Sequence, residues 1–353
     1  MTIIDVTTEP RSAREVLSWS RTTVEPALRA ASDTLPPAMQ RIAGYHCGWW
    51  NEHGQPEQAP DKVTGGKAIR PTLAVLSAEV VGGAPAVAVP AAVAVELVHN
   101  FSLLHDDVMD GDLTRRHRRT AWNVFGVNSA ILAGDALLTL AFDVLAASGH
   151  PAATDGIRML SAAVQDLVEG QNVDLGFEQR AEVELGECLS MAEKKTSALM
   201  GCACALGASF GGGSLEQRER LRHFGRYLGV AFQHVDDLLG IWGDPAVTGK
   251  PVYSDLLSHK KSLPVVAALT SGTPAGHELA VLYHRQAPLS GAELVDAAEL
   301  IELAGGRAWS QTQVDDLLAQ AMRQLPPASP PTPAARAVAE LGALARLATH
   351  RDH

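Results

Sequence analysis

A chain of 353 residues with a formal net charge of −11 and 46% apolar residues can bury a large core. That charge argues against a general surface for nucleic acid or an anionic membrane, so any phosphorylated ligand must be held by metal ions and local basic residues. Four cysteines, Cys47, Cys188, Cys202 and Cys204, show neither metal-site nor disulfide-framework spacing, which predicts core thiols in a reducing cytoplasm. The first residues lack the basic-then-apolar order of a signal peptide. Ala/Leu/Val segments at helical spacing dominate, and β-like alternation is scarce. The expected fold is all-α: a flexible tail over 1–12, then one helical domain over 13–353.

In chain order, a helix is predicted from Ala13 to about Ser32, and Pro36–Pro37 opens a second that runs towards Cys47. A Gly/Pro-rich stretch follows, in which Tyr45, Trp49 and Trp50 read as a packing knot. It ends in Gly65–Gly66–Lys67, with Arg70–Pro71 after it. Two glycines let backbone approach an anion, and Lys67 and Arg70 place two cations at a helix start. Residues 80–98 are apolar enough to be mistaken for a membrane span, but Pro85, Pro90 and Glu96 favour a buried core helix.

Residues 91–120 organise the chain. Ala91, Val95, His99, Ser102, Asp106 and Asp110 recur at steps of three or four and share a helix face. That face begins apolar and ends in two carboxylates one turn apart, about 6 Å along the axis. Arg115 and Arg116 come directly afterwards. Carboxylates so placed suit a hard divalent cation, and the arginines suit a phosphate.

Two further helices repeat the pattern. Leu160, Val164 and Leu167 lead to Gln171 and Asp174; Leu221, Phe224, Leu228 and Phe232 lead to Asp236. Ser214 and Gln217 have capping-box spacing and should start the latter helix. Buried carboxylates are costly unless paired or metal-bound, so packed together these stripes would enclose an apolar cavity with an acidic, metal-binding mouth. Between 127 and 211 three or four helices are expected, broken near Gly149–Pro151 and around Gly176–Arg180. Lys195–Thr196 should lie in one that ends near Gly201. Gly249–Lys250–Pro251 reads as a phosphate-facing turn, and Lys260–Lys261 as a helix start. The last third predicts two or three helices, a Pro-rich joint at 326–334 and a terminal helix.

Taken together, GGKAIRP, His99, DDVMD (106–110), Arg115–Arg116, GQNVDL (170–175), Lys195–Thr196, FQHVDD (232–237), GKP (249–251) and KKSLP (260–264) resemble the trans-isoprenyl diphosphate synthases, the polyprenyl synthetase family. The resemblance implies an all-α bundle around a deep central cavity, a homodimer, and two adjoining diphosphate sites. Lys67, Arg70, His99 and Arg116 match the residues that hold isopentenyl diphosphate. Asp106, Asp110 and Asp236 match ligands of three Mg²⁺ ions on an allylic diphosphate. Arg115, Lys195, Lys250 and Lys260 match its cationic contacts, with Gln171, Thr196 and Gln233 in support. Phe101, Ser102 and Val98, upstream of Asp106, match the chain-length floor. The implied product is short, geranylgeranyl diphosphate first and farnesyl second.

Several positions depart from the family pattern. Gly240 stands where a third Asp is usual in the second acidic motif, and Asp244, eight residues after Asp236, is about 12 Å from it along a straight helix. Ala68 replaces a common basic residue, Arg119 a Pro and Ser262 a Thr. Asp236, Gly240 and Asp244 also partly echo the metal motif of a class I terpene cyclase, but a cyclase has no second diphosphate for Lys67, Arg70, His99 and Arg116. The loss at Gly240 motivates a third reading, a silent prenyl-diphosphate-binding subunit, which intact Asp106, Asp110 and Asp236 oppose.

Overall fold

The protein is described by a computed structural model covering residues 9–56, 66, 68–245, 251–285, 287–327 and 332–350. Helix α1 (Ala13–Ser32) starts at a Ser12/Glu15 capping box, and α2 (Pro37–His46) has Pro at its first position. Next come α3 (Ile69–Val80), α4 (Val89–Met109), α5 (Ala121–Phe125), α6 (Val127–Ala147), α7 (Ala153–Glu178), α8 (Leu185–Ala192), α9 (Ala198–Phe210) and α10 (Leu215–Trp242). Then follow α11 (Leu263–Leu269), α12 (Pro274–Tyr283), α13 (Gly291–Leu303), α14 (Gly306–Gln324) and α15 (Pro333–Thr349). The all-α expectation holds, as do the breaks after α6 and α7 and the three helices before the Pro-rich joint.

Residue contacts divide the chain into two compact units. One comprises residues up to 162 with 202–222 and 325–344; the other comprises 163–201, 223–324 and 345 onwards. In the first, every residue of α3 except Arg70 is buried. Helix α4 is buried on almost all sides, including Val93, Ala94 and Leu97 off the predicted stripe. Such all-round apolar helices form the centre of a packed unit. Both α4, extended back to Pro85, and α6 are long and apolar enough to cross a membrane, yet 67% of the first and 39% of the second is buried in protein.

Arg11 and Ser12, assigned to the tail, already belong to the fold. Arg11 donates to Glu340 at 2.7 and 2.8 Å, and Arg336 donates to Glu79 at 2.7 Å. Glu79 and Glu340, only 5% and 0% exposed, are therefore paired as buried carboxylates must be.

One local expectation is corrected, and one element is new. The chain holding Lys195 does not stop near Gly201. Residues Glu193–Ser197 form one π-turn, and α9 then continues to Phe210, followed by Gly212 at φ +80°. Gly201 is a buried helical glycine; the left-handed stop signal belongs to Gly212. A small antiparallel hairpin, β1 (Thr114–Arg115) with β2 (Arg118–Arg119), also escaped the helical pattern.

In the second unit, Phe177, Val183, Cys188, Met191, Leu263 and Val266 form a core around α8 and α11. In the first unit, burial pushes the Cys202 and Cys204 thiols up to about 12, as inert core thiols require.

Candidate active site

In the first unit the site is built on α4. His99 Nε2 lies 3.2 Å from Arg70 Nη1 at the start of α3. Arginine has only donors, so this nitrogen accepts and His99 is the neutral tautomer protonated at Nδ1. Burial holds the imidazole well below its ordinary pKa, and Arg70 and Arg116 lower it further. Glu96, one turn earlier, is pushed up by burial while Arg70, Arg116 and Arg21 pull it back. Gly66 packs on Arg116: a Cβ there would stand 2.5 Å from Arg116 Nη2. Thus Arg70, His99 and Arg116 are brought together as expected, with Glu96 and Arg21 added by the structure. Lys67 lies outside the described residues.

Two turns on, Asp106 is partly buried, while Asp110, which caps α4, is exposed. Asp107 between them is 1% exposed, and its Oδ1 accepts from Arg115 Nε at 2.6 Å. Burial raises the Asp107 pKa, opposed by Arg115. Arg115 is therefore aimed by a carboxylate that sequence reasoning passed over, although the second Asp of DDVMD was in view. Ser102 donates to His99 O at 2.9 Å; Phe101, 6% exposed, packs edge-on against His105 at 4.7 Å; Val98 is fully buried.

Arg115 and Arg116 reach this position through the hairpin. Its two loop residues, Arg116 (φ +53°) and His117 (φ +61°), both have positive φ, the demand of a primed two-residue turn that Asn-Gly usually meets. Left-handed backbone costs a non-glycine residue about 1–2 kcal/mol, against about 0.5–1 kcal/mol for the extra freedom glycine loses on folding. His117 is exposed, so His117→Gly should stabilise the protein by about 0.5–1 kcal/mol, read as a raised thermal midpoint. An unchanged or lowered midpoint would contradict the strain.

In the second unit the π-turn carries Lys195 and Thr196. Gly170 of α7 abuts the Lys195 backbone, and a Cβ on Gly229 of α10 would stand 2.5 Å from Ser197 Cα. Side chains at either glycine would force the turn out of place, which explains a π-turn, common at functional sites, between two bare helix faces. Lys195 Nζ meets Asp174 Oδ2 at 2.6 Å, and Thr196 donates to Gln233 Oε1 at 2.6 Å. Gln233 in turn donates to Asp237 at 2.8 Å. Asp237, 2% exposed, also accepts from the Leu263 amide at 2.9 Å and faces Lys260 at 3.6 Å. Thr196 and Lys260 thus meet Gln233 and Asp237 of α10, the helix that also carries the partly buried Asp236; Gln171, 6% exposed, is one turn from Asp174 on α7. Lys250 lies outside the described residues.

At Gly240 a Cβ would run into the Asp255 carboxylate, and Asp255 also faces Lys260 at 3.9 Å. Ser254 donates to Gly240 O at 3.1 Å. The place of a third motif side chain is therefore filled by a carboxylate 15 residues later, which no spacing rule in the sequence announces.

No group of three or more metal-ligating side chains occurs among the described residues. The donor set still fits Mg²⁺, which binds through one or two carboxylates and substrate phosphates, with waters, and not in an all-protein cage. Asp106 and Asp110 offer such oxygens one turn apart, as Asp236 does in the second unit. The buried Asp107 Oδ2 has no hydrogen-bond partner among the described residues, a further sign of a site organised for positive charge.

Comparison with known proteins agrees with the resemblance. Residues 57–301 match the polyprenyl synthetase family. A (2E,6E)-farnesyl diphosphate synthase of Mycobacterium tuberculosis is 47% identical over 306 residues, 86% of this chain and 84% of that one. A geranylgeranyl diphosphate synthase of the same species is 43% identical over 316 residues, 89% of each chain. The crystal structure of a polyprenyl synthetase from Streptomyces coelicolor superimposes with a TM-score of 0.87 at 46% identity, covering 95% of this chain and 98% of that one. By fold, motif order and similarity along most of its length, the chain belongs to the polyprenyl synthetase family.

Proposed function

We propose that the protein is a prenyltransferase that condenses isopentenyl diphosphate with an allylic diphosphate to give a short all-trans prenyl diphosphate. One observation carries the reading: α4 presents a cation-lined group, His99 bonded by Arg70 beside Arg116, two turns from the carboxylate Asp106 and three from Asp110. Two ways of holding a diphosphate on one helix suit two diphosphate substrates. A one-substrate cyclase has no use for the first.

In this proposal Lys67, Arg70, His99 and Arg116 hold isopentenyl diphosphate; the neutral His99 offers its Nδ1–H, not a charge. Asp106, Asp110 and Asp236 would hold three Mg²⁺ ions with the allylic diphosphate. Bound Mg²⁺ would stabilise negative charge on the leaving diphosphate. Arg115, Lys195 and Lys260, kept in place by Asp107, Asp174 and Asp237, bind the same diphosphate together with Lys250. Gln171, Thr196 and Gln233 orient those cations. The allylic C–O bond breaks, the isopentenyl alkene attacks the allylic carbon to form a C–C bond, and the departing diphosphate takes the proton lost next. Apolar walls exclude water from the cation.

Exposed apolar residues on α6, Val127, Ile131 and Leu132, at 43%, 36% and 56%, support a homodimer. The free thiols support a cytoplasmic location, and the burial of α4 supports a protein not inserted in a membrane. Incubation with Mg²⁺, isopentenyl diphosphate and each allylic primer tests the function. Condensed product is expected; hydrocarbon from one substrate would mean a cyclase, and no turnover a silent subunit.

For length, the proposed product is geranylgeranyl diphosphate, then farnesyl. A tail growing from the metal end runs back along α4 at about 5.4 Å per turn, past Ser102, Phe101 and Val98. Small Ser102 leaves room where Phe101 forms a floor. Phe101→Ala should lengthen the product and Ser102→Phe shorten it, by chromatography of the dephosphorylated alcohols. Unchanged lengths in both variants would place the floor elsewhere.

A further inference from the structure

We propose that Arg21 of α1, a helix with no part in the motifs, is a positioning residue for isopentenyl diphosphate: it clamps the Gly66 carbonyl and so fixes Gly66 against Arg116. The inference rests on the proposed role of Arg70, His99 and Arg116. Arg21 Nη2 donates to Gly66 O at 2.8 Å across 45 residues of sequence. A charged donor makes this roughly twice as strong as a neutral hydrogen bond.

What Gly66 touches gives that bond its consequence. A Cβ there would stand 2.5 Å from Arg116 Nη2 and 3.0 Å from Cζ, so glycine backbone forms one wall of the guanidinium's place. Arg116 is further constrained by its positive-φ turn. With Gly66 released, Arg116 loses that wall, and its direction is left to the strained backbone and the attraction of Glu96. Arg21 also adds charge. Glu96 faces Arg70, Arg116 and Arg21, and His99 is neutral, so three guanidinium groups outweigh one carboxylate where a polyanion is to bind.

The test uses the full-length protein and its Arg21→Ala, Arg21→Gln and Arg21→Lys variants. KM for isopentenyl diphosphate is measured at saturating allylic primer, and binding of isopentenyl diphosphate alone is measured by calorimetry. Arg21→Ala should raise both KM and Kd for isopentenyl diphosphate about tenfold, with kcat and the primer KM within about twofold. Arg21→Lys, which keeps a charged donor, should recover most of the loss. If Arg21→Ala fails to fold, Arg21→Gln serves the same comparison, because it keeps an N–H donor without charge and should fall between.

Unchanged KM and Kd overturn the inference. So does a loss spread equally over kcat, both KM values and the melting midpoint, which would make Arg21 a structural staple only. Arg70→Ala and Arg116→Ala separate the two levels. If they lose affinity and Arg21→Ala does not, the inference alone fails; if they retain full affinity, the isopentenyl site itself is misassigned and the inference falls with it.

Discussion

Asp106→Ala and Asp236→Ala should each lower turnover by at least about 100-fold, the scale of losing one stabiliser of transition-state charge. The reaction must expel diphosphate from an allylic carbon, so the barrier is set by how well developing negative charge is met. Asp106 lies in the last turn of α4 and Asp236 in α10, both partly buried, so neither carboxylate can be replaced by bulk water at the same place. The arginine and lysine side chains near them are already held by Asp107, Asp174 and Asp237, so they cannot swing over to compensate. Steady-state turnover at saturating Mg²⁺ is the measurement, with circular dichroism to confirm folding. Turnover within a factor of ten of the parent in either variant would remove that residue from the metal set. Chelation of Mg²⁺ should abolish turnover in the parent protein.

The second large effect is expected at Gly240. Putting back the aspartate common in the family should damage this protein, because Asp255 already fills the space. Helix propensity favours Asp over Gly by only a few tenths of a kcal/mol. Two carboxylates about 4 Å apart repel by about 4 kcal/mol at an effective dielectric of 20. Asp255 can swing away, since its carboxylate is the end of a side chain, but it then leaves Lys260 at 3.9 Å and Ser254. Repulsion wins. Gly240→Asp should destabilise by about 1–3 kcal/mol and should not raise turnover. Adding Asp255→Ala should recover most of the stability, giving a coupling energy in a double-mutant cycle. Denaturant melts of the four proteins read it; additive effects, or a faster Gly240→Asp enzyme, would show that Asp255 does not fill the missing position.

The proposed site residues are legible as candidates because most of them lie in short motifs. The step from His99 to Asp106 to Asp110 follows from helical spacing, and Gly-Gly-Lys with Arg70 points to an anion. Much less legible were the partners that aim these groups. Asp107 was visible but had no assigned task until the hairpin brought Arg115 to it. Asp255, Glu96 and Arg21 have no motif of their own; each matters through a neighbour distant in sequence or on another helix turn. The misplaced stop at Gly201 has the same origin, since a glycine buried inside a helix and one needed for a left-handed cap look identical in a string of letters.

The sequence by itself determined the all-α class, most helix boundaries, the acidic motifs and their order, because these depend on periodicity, capping and local spacing within a few residues. Tertiary structure alone decided which carboxylate holds which cation, why Gly66, Gly170, Gly229 and Gly240 must lack side chains, and where the π-turn presents Lys195. Those are matters of excluded volume and of charge pairing over a few ångströms between segments tens of residues apart. No local pattern records such distances.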